Sequence, residues 1–461
     1  MLFAVFIVRE KKPPESGGTE ICMKRLCKAL AALALLVAVV TNIIGCSSEI
    51  EARNLSRGIA TNTVKPLEEL DGGNAAVTDF ALRLLQAVER EEGGNTLLSP
   101  LSVMTALAMT ANGAGGETLS EMESVLGMTV PELNLYFYSL MRALPEGNKY
   151  ALSLANSMWV NSDARFTPSE RFLGLNADYY GASVYESDFG TQTKRDINNW
   201  VKQSTNGMIP KILDRVPENA IMYLVNALAF EAEWSEIYER RQVRDGTFTC
   251  EDGKKQRAKM MYSNEYGYFE DGGASGFIKH YSGRKYAFVA LLPKEGVSLA
   301  EYIASLDGES LGLLLQSPEP LAVKASIPKF EVEFGEDISG ALAAMGMDDA
   351  FDIQRADFSG LGSSEEGNIF INRVMHKTYI EVAEQGTRAG AVTSVEMVDG
   401  SAGPPDEIKE VHLDRPFMYM IIDCENRVPL FVGTVRDVSC RRVTTIIYIF
   451  CGALINTAAR A

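Results

Sequence analysis

A chain of 461 residues, 46% of them hydrophobic, can bury a large core, which excludes disorder as its general state. Its 44 Lys plus Arg stand against 61 Asp plus Glu, a formal charge of -17 that repels phosphate backbones and polyanions, so neither nucleic acid nor a heparin-like cofactor is expected as a partner. The seven cysteines form no CxxC pair and His280, His376 and His412 lie far apart, so no metal site and no cofactor is expected.

Residues 1–22 contain Lys11-Lys12-Pro13-Pro14, which fits no secretory leader, and they read as a start-site extension with Met23 as the working start. From Met23 the sequence runs MKRLCKALAALALLVAVVTNIIGC, with Lys24, Arg25 and Lys28 ahead of an apolar run from Ala29 to Val40. A basic start, an apolar run and a small residue before a cut site make residues 23–46 a signal peptide. The run is too short and too poorly flanked for a comfortable membrane span. An uncleaved anchor helix is the alternative, and both place the domain outside the cytoplasm. Ile43-Ile44-Gly45-Cys46 is similar to the lipobox of bacterial lipoproteins. That resemblance implies lipid on Cys46 and an extracellular or cell-surface protein held to the membrane. Residues 47–73, polar and without periodicity, read as a tether.

Residues 74–438 contain no linker, repeat or low-complexity block, so one large domain is expected there. Val77, Phe80, Ala81, Leu84, Leu85 and Val88 follow the i, i+3, i+4, i+7 rule of an amphipathic helix. Ser99-Pro100 is a cap and first turn for a second helix, LSVMTALAMTANGAGG, apolar nearly all round and therefore buried. A third helix is expected from Thr118, with Gly127 to stop it. Strand-like runs follow: YALSLANSMWV, AIMYLVNALAF, KYAFVALLP, LAVKASIPKFEVEF and NIFINRVMHKTYIEV. PFMYMIID and LFVGTV, joined by CENRVP, read as a hairpin. Helices first and strands later indicate an α+β fold rather than alternating βαβ units. Residues 439–461 include VTTIIYIFCGALI, which is apolar yet shorter than the roughly 20 residues of a membrane helix, and sequence alone gives this tail no role.

Several segments in order resemble the serpin family over residues 74–438. Asn95 to Ser102 (NTLLSPLS) resembles its N-x-x-x-S-P-x-S element. Ile197 to Leu213 resembles the helix and turn lying across the main sheet. Leu224-Val225-Asn226-Ala227 with Trp234 resembles the third strand of that sheet, and Phe431-Val432-Gly433 resembles the closing strand. Where the family usually carries Phe-Lys-Gly-x-Trp, this chain has Phe230-Glu231-Ala232-Glu233-Trp234. The resemblance implies helices clustered around a large mixed central sheet, further sheets, and an exposed reactive-centre loop over about residues 384–413. It also implies a shutter and breach made of Ser99, Ser102, Asn226, Trp234, Lys329 and His376. In that arrangement His376 hydrogen-bonds Asn226 beneath the sheet near Ser99 and Ser102, and Glu384 pairs with Lys329.

Glu384 to Val395 (EQGTRAGAVTSV) resembles the hinge of inhibitory members, with Glu384, Gly386, Thr387, Ala389, Ala391 and Thr393 as its positions. Its pattern has a physical reading of its own. Alternate strand residues share a face. Thr387, Ala389, Ala391, Thr393 and Val395 make one face small and uncharged, while Arg388 and Glu396 fall on the other. Such a segment can enter a sheet with small residues inward, whereas the uncut loop is expected to lie in solvent. Ten to twenty new ladder bonds, at about 1 kcal/mol net each, drive insertion by on the order of ten kcal/mol. That implies a protease inhibitor acting as a suicide substrate: loop cleavage, trapping of the acyl-enzyme, and insertion of residues 386–399.

Counting from Gly386 as in the family puts the reactive bond at Gly400-Ser401, although the loop is several residues longer than in many members. No Arg or Lys lies between Gly390 and Ile408, so the partner expected is a serine or cysteine protease of small-residue specificity rather than a trypsin-like one. A monomer is expected. The sequence has no GxSxG elbow, HExxH, P-loop or strand-turn-helix GxGxxG, so an enzyme is not expected. The remaining alternative is a non-inhibitory serpin that binds or carries a ligand; the clean inward face of the hinge argues against it.

Overall fold

The computed structural model describes residues 50–59, 61–89, 94–144, 147, 149–162, 165–213, 216, 220–365, 367–387, 407–438 and, for the backbone alone, 449–457. The expected extension (1–22), signal peptide (23–46) and Cys46 lie outside these residues, as do Ala389, Ala391, Thr393, Gly400 and Ser401 of the loop.

Helix α1 (Asp71–Glu89) buries Val77, Phe80, Ala81, Leu84, Leu85 and Val88, the stripe its spacing predicts. Helix α2 (Pro100–Ala111) has all of its residues buried. Ser99 caps it, with an extended backbone and Pro100 in the first turn, and its hydroxyl accepts the Ser102 N–H at 3.4 Å. Helix α3 (Gly116–Leu126) starts two residues ahead of Thr118 and stops at Gly127, whose φ of 72° is a left-handed cap. Helices α4 (Val130–Ala143), α5 (Glu170–Tyr180) and α6 (Thr191–Ser204) follow, and α7 (Leu299–Ser305), α8 (Gly308–Gln316) and α9 (Ser339–Ala344) come among the later strands.

Among the described residues, one of two large sheets is mixed and eight-stranded. Its strands lie in the order β1 (Arg53–Asn54), β5 (Ser183–Ser187), β3 (Tyr150–Asn161), β6 (Ala220–Glu233), β15 (Gly386–Thr387), β14 (Ile369–Ala383) and β12 (Phe330–Asp337). An eighth strand, β19 (Ile449–Thr457), pairs with both β14 and β6. The second sheet runs β16 (Ile408–His412), β11 (Glu319–Pro328), β8 (Lys255–Glu270), β9 (Ala274–His280), β10 (Tyr286–Pro293), β17 (Phe417–Asp423), β18 (Pro429–Val435) and β2 (Thr96–Leu98), with β7 (Val243–Thr249) on β8. A small pair, β4 (Phe166–Pro168) and β13 (Gly362–Ser364), completes the set.

The near-continuous apolar run of β6 reflects cover on both faces. Met222, Leu224, Leu228, Phe230 and Ala232 join the main core. Tyr223, Val225, Ala227 and Ala229 join a second cluster with Ile197, Trp200 and Val201 of α6. Helix α6, which contains Ile197, therefore covers the sheet as the resemblance implied. The predicted hairpin is β17 against β18. The run LAVKASIPKFEVEF is not one strand. It changes sheets at Lys329, whose N–H bonds the Lys259 carbonyl at 2.8 Å.

Within the stretch read from sequence as a tether, several described residues between 50 and 70 pack along the body. Arg53 and Asn54 pair with Glu186 and Tyr185 at the sheet edge, and the Ala52 N–H bonds Asp196 at 2.8 Å. Ile50, Ala52, Leu55, Ile59 and Leu70, spaced without period, pack against the two core clusters. Isolated apolar residues in a polar stretch dock a segment without giving it a helical or strand signature.

Candidate functional site

Strand β14 ends in a turn at Glu384-Gln385, from which β15 folds back between β14 and β6. Gly386 pairs with Ala383 and Glu233, and Thr387 pairs with Val382 and Ala232. The turn requires glycine at Gly386: its φ is +149°, and a Cβ there would stand 2.1 Å from the Ala232 carbonyl oxygen. Ala232, where the family usually has glycine, sits buried in this ladder without breaking it.

Thr387 faces inward, but it is not in solvent as the sequence suggested. It is fully buried, and its hydroxyl hydrogen-bonds the Tyr281 phenol. Burial raises the Tyr281 pKa against the opposing effect of that bond, so the phenol stays neutral and able to donate. Gly386 and Thr387 of the hinge are thus strand residues already, because the small Thr387 fits between two strand backbones that leave their own polar groups to be paired.

Around this start of the loop the chain is stitched closed. Trp234 N–H donates to the Gln385 carbonyl at 2.9 Å, Tyr238 N–H to the Glu384 carbonyl at 2.9 Å, and the Trp234 indole N–H to the Ala383 carbonyl at 2.9 Å. The Trp234 ring stacks on Tyr281 with centroids 4.4 Å apart. Lys329 Nζ lies 2.8 Å from Glu384 Oε2, with both side chains about one-third exposed. Burial pushes the Glu384 carboxyl pKa up, but the Lys329 hydrogen bond and charge outweigh it and hold it below its ordinary value.

Sequence reasoning missed Lys279 and Tyr281. Lys279 is buried, 2.8 Å from Glu265, with its ammonium 5.3 Å from the Trp234 ring and 4.5 Å from the Tyr238 ring. The available signal was a lysine inside the apolar run GFIKHY, where alternation already turns it inward.

At the middle of the sheet the Ser99 N–H donates to His376 Nε2 at 3.0 Å, and Ser102 Oγ hydrogen-bonds Asn226 Oδ1. Asn226 Nδ2 donates to Asn156 Oδ1 at 2.7 Å. These residues are buried, so the bonds act without competition from water. Cys451 of β19 is the register partner of both His376 and Asn226, and a strand lies between them.

Two side-chain pairs have the composition of a nucleophile and base but not its state. Cys424 Sγ is 3.8 Å from His280 Nδ1, yet burial pushes the thiol up to about 12 and the imidazole down to about 4, leaving both neutral. Ser326 Oγ is 3.0 Å from His412 Nδ1, but Ser326 is sealed in the second sheet.

Between β6 and β14 the sheet holds the start of the loop, β15, and the tail strand β19. The chain belongs to the serpin family: the family model for serpins (serine protease inhibitors) matches residues 75–438. It is 32% identical over 369 residues to an uncharacterized serpin-like protein of Thermococcus kodakarensis, covering 78% of this chain and 85% of that one. It is also 32% identical over 377 residues to the leukocyte elastase inhibitor of Sus scrofa, covering 78% and 98%. Among solved structures it resembles the thermophilic serpin tengpin in its native state, with 43% identity, a TM-score of 0.78, and coverage of 84% of this chain and all of that one, 100%. It also resembles thyroxine-binding globulin in complex with thyroxine, with 25% identity, a TM-score of 0.68 and coverage of 80% and 99%. The family consists mostly of protease inhibitors rather than enzymes.

Proposed function

We propose that this serpin is a suicide-substrate protease inhibitor, cut in its loop and trapping the acyl-enzyme as residues 386–399 enter the large sheet. The observation that carries the reading is continuity. Thr387 already occupies an inward strand position, and the sequence repeats small uncharged residues at each alternate position to Val395. The reactive bond of this reading is Gly400-Ser401. The target is a serine or cysteine protease with a shallow specificity pocket, such as an elastase-like or subtilisin-like enzyme. The protein acts as a monomer at the cell surface, held to the membrane by lipid on Cys46.

Incubation with elastase-like and subtilisin-like proteases tests this reading. It expects a complex that survives boiling in detergent and a C-terminal peptide starting at or within a few residues of Ser401. Cleavage without any such complex across the panel overturns it. The likeness to thyroxine-binding globulin supports the second reading, a ligand carrier, which expects cut loop and no covalent complex.

A further inference from the structure

Strand β19 runs antiparallel to both β14 and β6, in the same direction as β15 and on the same line. Thr387 pairs with Val382 and Ile449 pairs with Thr378, so between them stand only Glu381, Ile380 and Tyr379 on β14. Continuing the hinge in register brings Arg388, Ala389 and Gly390 opposite those three residues. Ala391 then falls opposite Thr378, the position Ile449 holds. From there to Ile369 each place along β14 that an inserting loop would use lies within the span of the tail. The segment's sequence suits a sheet interior: IFCGALINT carries no charge, and the nearest basic residues, Arg442 and Arg460, fall outside it.

We propose that residues Ile449–Thr457 are a built-in occupant of the insertion slot, and that they gate trapping. Resting on the inhibitor reading, the inference is that the cut loop can advance only to Gly390 before the tail must leave. A backbone N–H or C=O can be paired to one strand at a time, so loop and tail compete for the same ladder. Insertion races deacylation of the trapped protease. A tail that delays insertion therefore sends more molecules through cleavage and release.

The test uses the full chain, a chain ending at Val438, and a Lys377→Cys, Phe450→Cys variant in a Cys451→Ala background. Lys377 and Phe450 are register partners, a spacing that a disulfide can bridge. The expected result is cross-linking in the folded protein on oxidation, with the oxidised form cut but not trapping and reduction restoring the complex. The chain ending at Val438 should consume at least twofold fewer inhibitor molecules per protease inactivated than the full chain. A folded variant that does not cross-link, or one that traps equally well oxidised and reduced, overturns the proposal. If the cross-link forms and no version of the chain traps any protease, the inhibitor reading fails while the place of the tail in the slot stands.

Discussion

His376 and Asn226 lie on strands that flank one slot, and each takes the same residue, Cys451, as its register partner. Separate groups bond the two side chains: His376 Nε2 accepts from the Ser99 amide, and Asn226 bonds Ser102 and Asn156. None of these bonds runs from β6 to β14, so none has to break for a strand to lie between them.

Cleavage between Met397 and Ala402 is expected to stabilise the chain that ends at Val438, because the freed loop becomes a full strand. The melting temperature should rise by about 10 °C or more, judged from a driving force on the order of ten kcal/mol. Differential scanning calorimetry of cut and uncut protein checks this. A cut form melting at or below the intact one rules out insertion. In the full chain the rise is expected to be smaller, since the loop must first displace β19.

Arginine at two inward positions should separate folding from trapping. Thr387 is buried in the uncut protein and bonded to Tyr281, so Thr387→Arg is expected to lower stability by several kcal/mol before any protease is added. Ala391→Arg should melt within a degree or two of the parent, yet be consumed as a substrate, because its charge must enter the sheet only on insertion. Arg388→Glu, on the other face of the sequence alternation, is the control and should trap normally. Thermal melts alongside the inhibitor-to-protease ratio decide the matter. An Ala391→Arg protein that traps as efficiently as the parent contradicts the inward face.

The Glu384–Lys329 pair predicts a pH dependence of definite sign. Glu384 has a folded-state pKa below its ordinary value, so its stabilising effect is complete above the ordinary value and disappears as pH falls through the folded one. Glu384→Gln should cost up to about 1 kcal/mol at pH 7, a small figure because the pair is partly in solvent. Denaturant melts should show this difference closing between about pH 5 and pH 3. A gap that stays constant or widens on acidification refutes the assignment.

Lipid attachment is tested by Cys46→Ala. Expressed in a bacterial host, the variant should lose fatty-acid labelling and its retention in the membrane fraction, since no other cysteine follows a lipobox-like run. Labelling equal to the parent excludes Cys46 as the acceptor.

Local chemistry wrote part of this fold plainly. The Ser99 cap, the stripe of α1, the glycine stop after α3 and the β17–β18 hairpin depend on neighbours within a few residues, and periodicity reports such neighbours well. The hinge was legible as alternation, though not its depth, because burial of Thr387 depends on Tyr281 more than a hundred residues away. The sheet change at Lys329 was hidden inside an unbroken β-prone run. The tail was the hardest case: an apolar run reads the same whether it becomes a helix, an edge or an inserted strand, and only β6 and β14 select among them.

The folded-back segment at Arg53–Asn54 bears on the protein's behaviour in crowded surroundings. It covers the outer rim of β5, while the opposite rim, β12, presents Glu331, Glu333, Glu336 and Asp337 along one short strand. A second copy approaching β12 meets a row of carboxylates, which discourages edge-to-edge pairing there. An acidic border of this kind guards the sheet against pairing with other chains along β12.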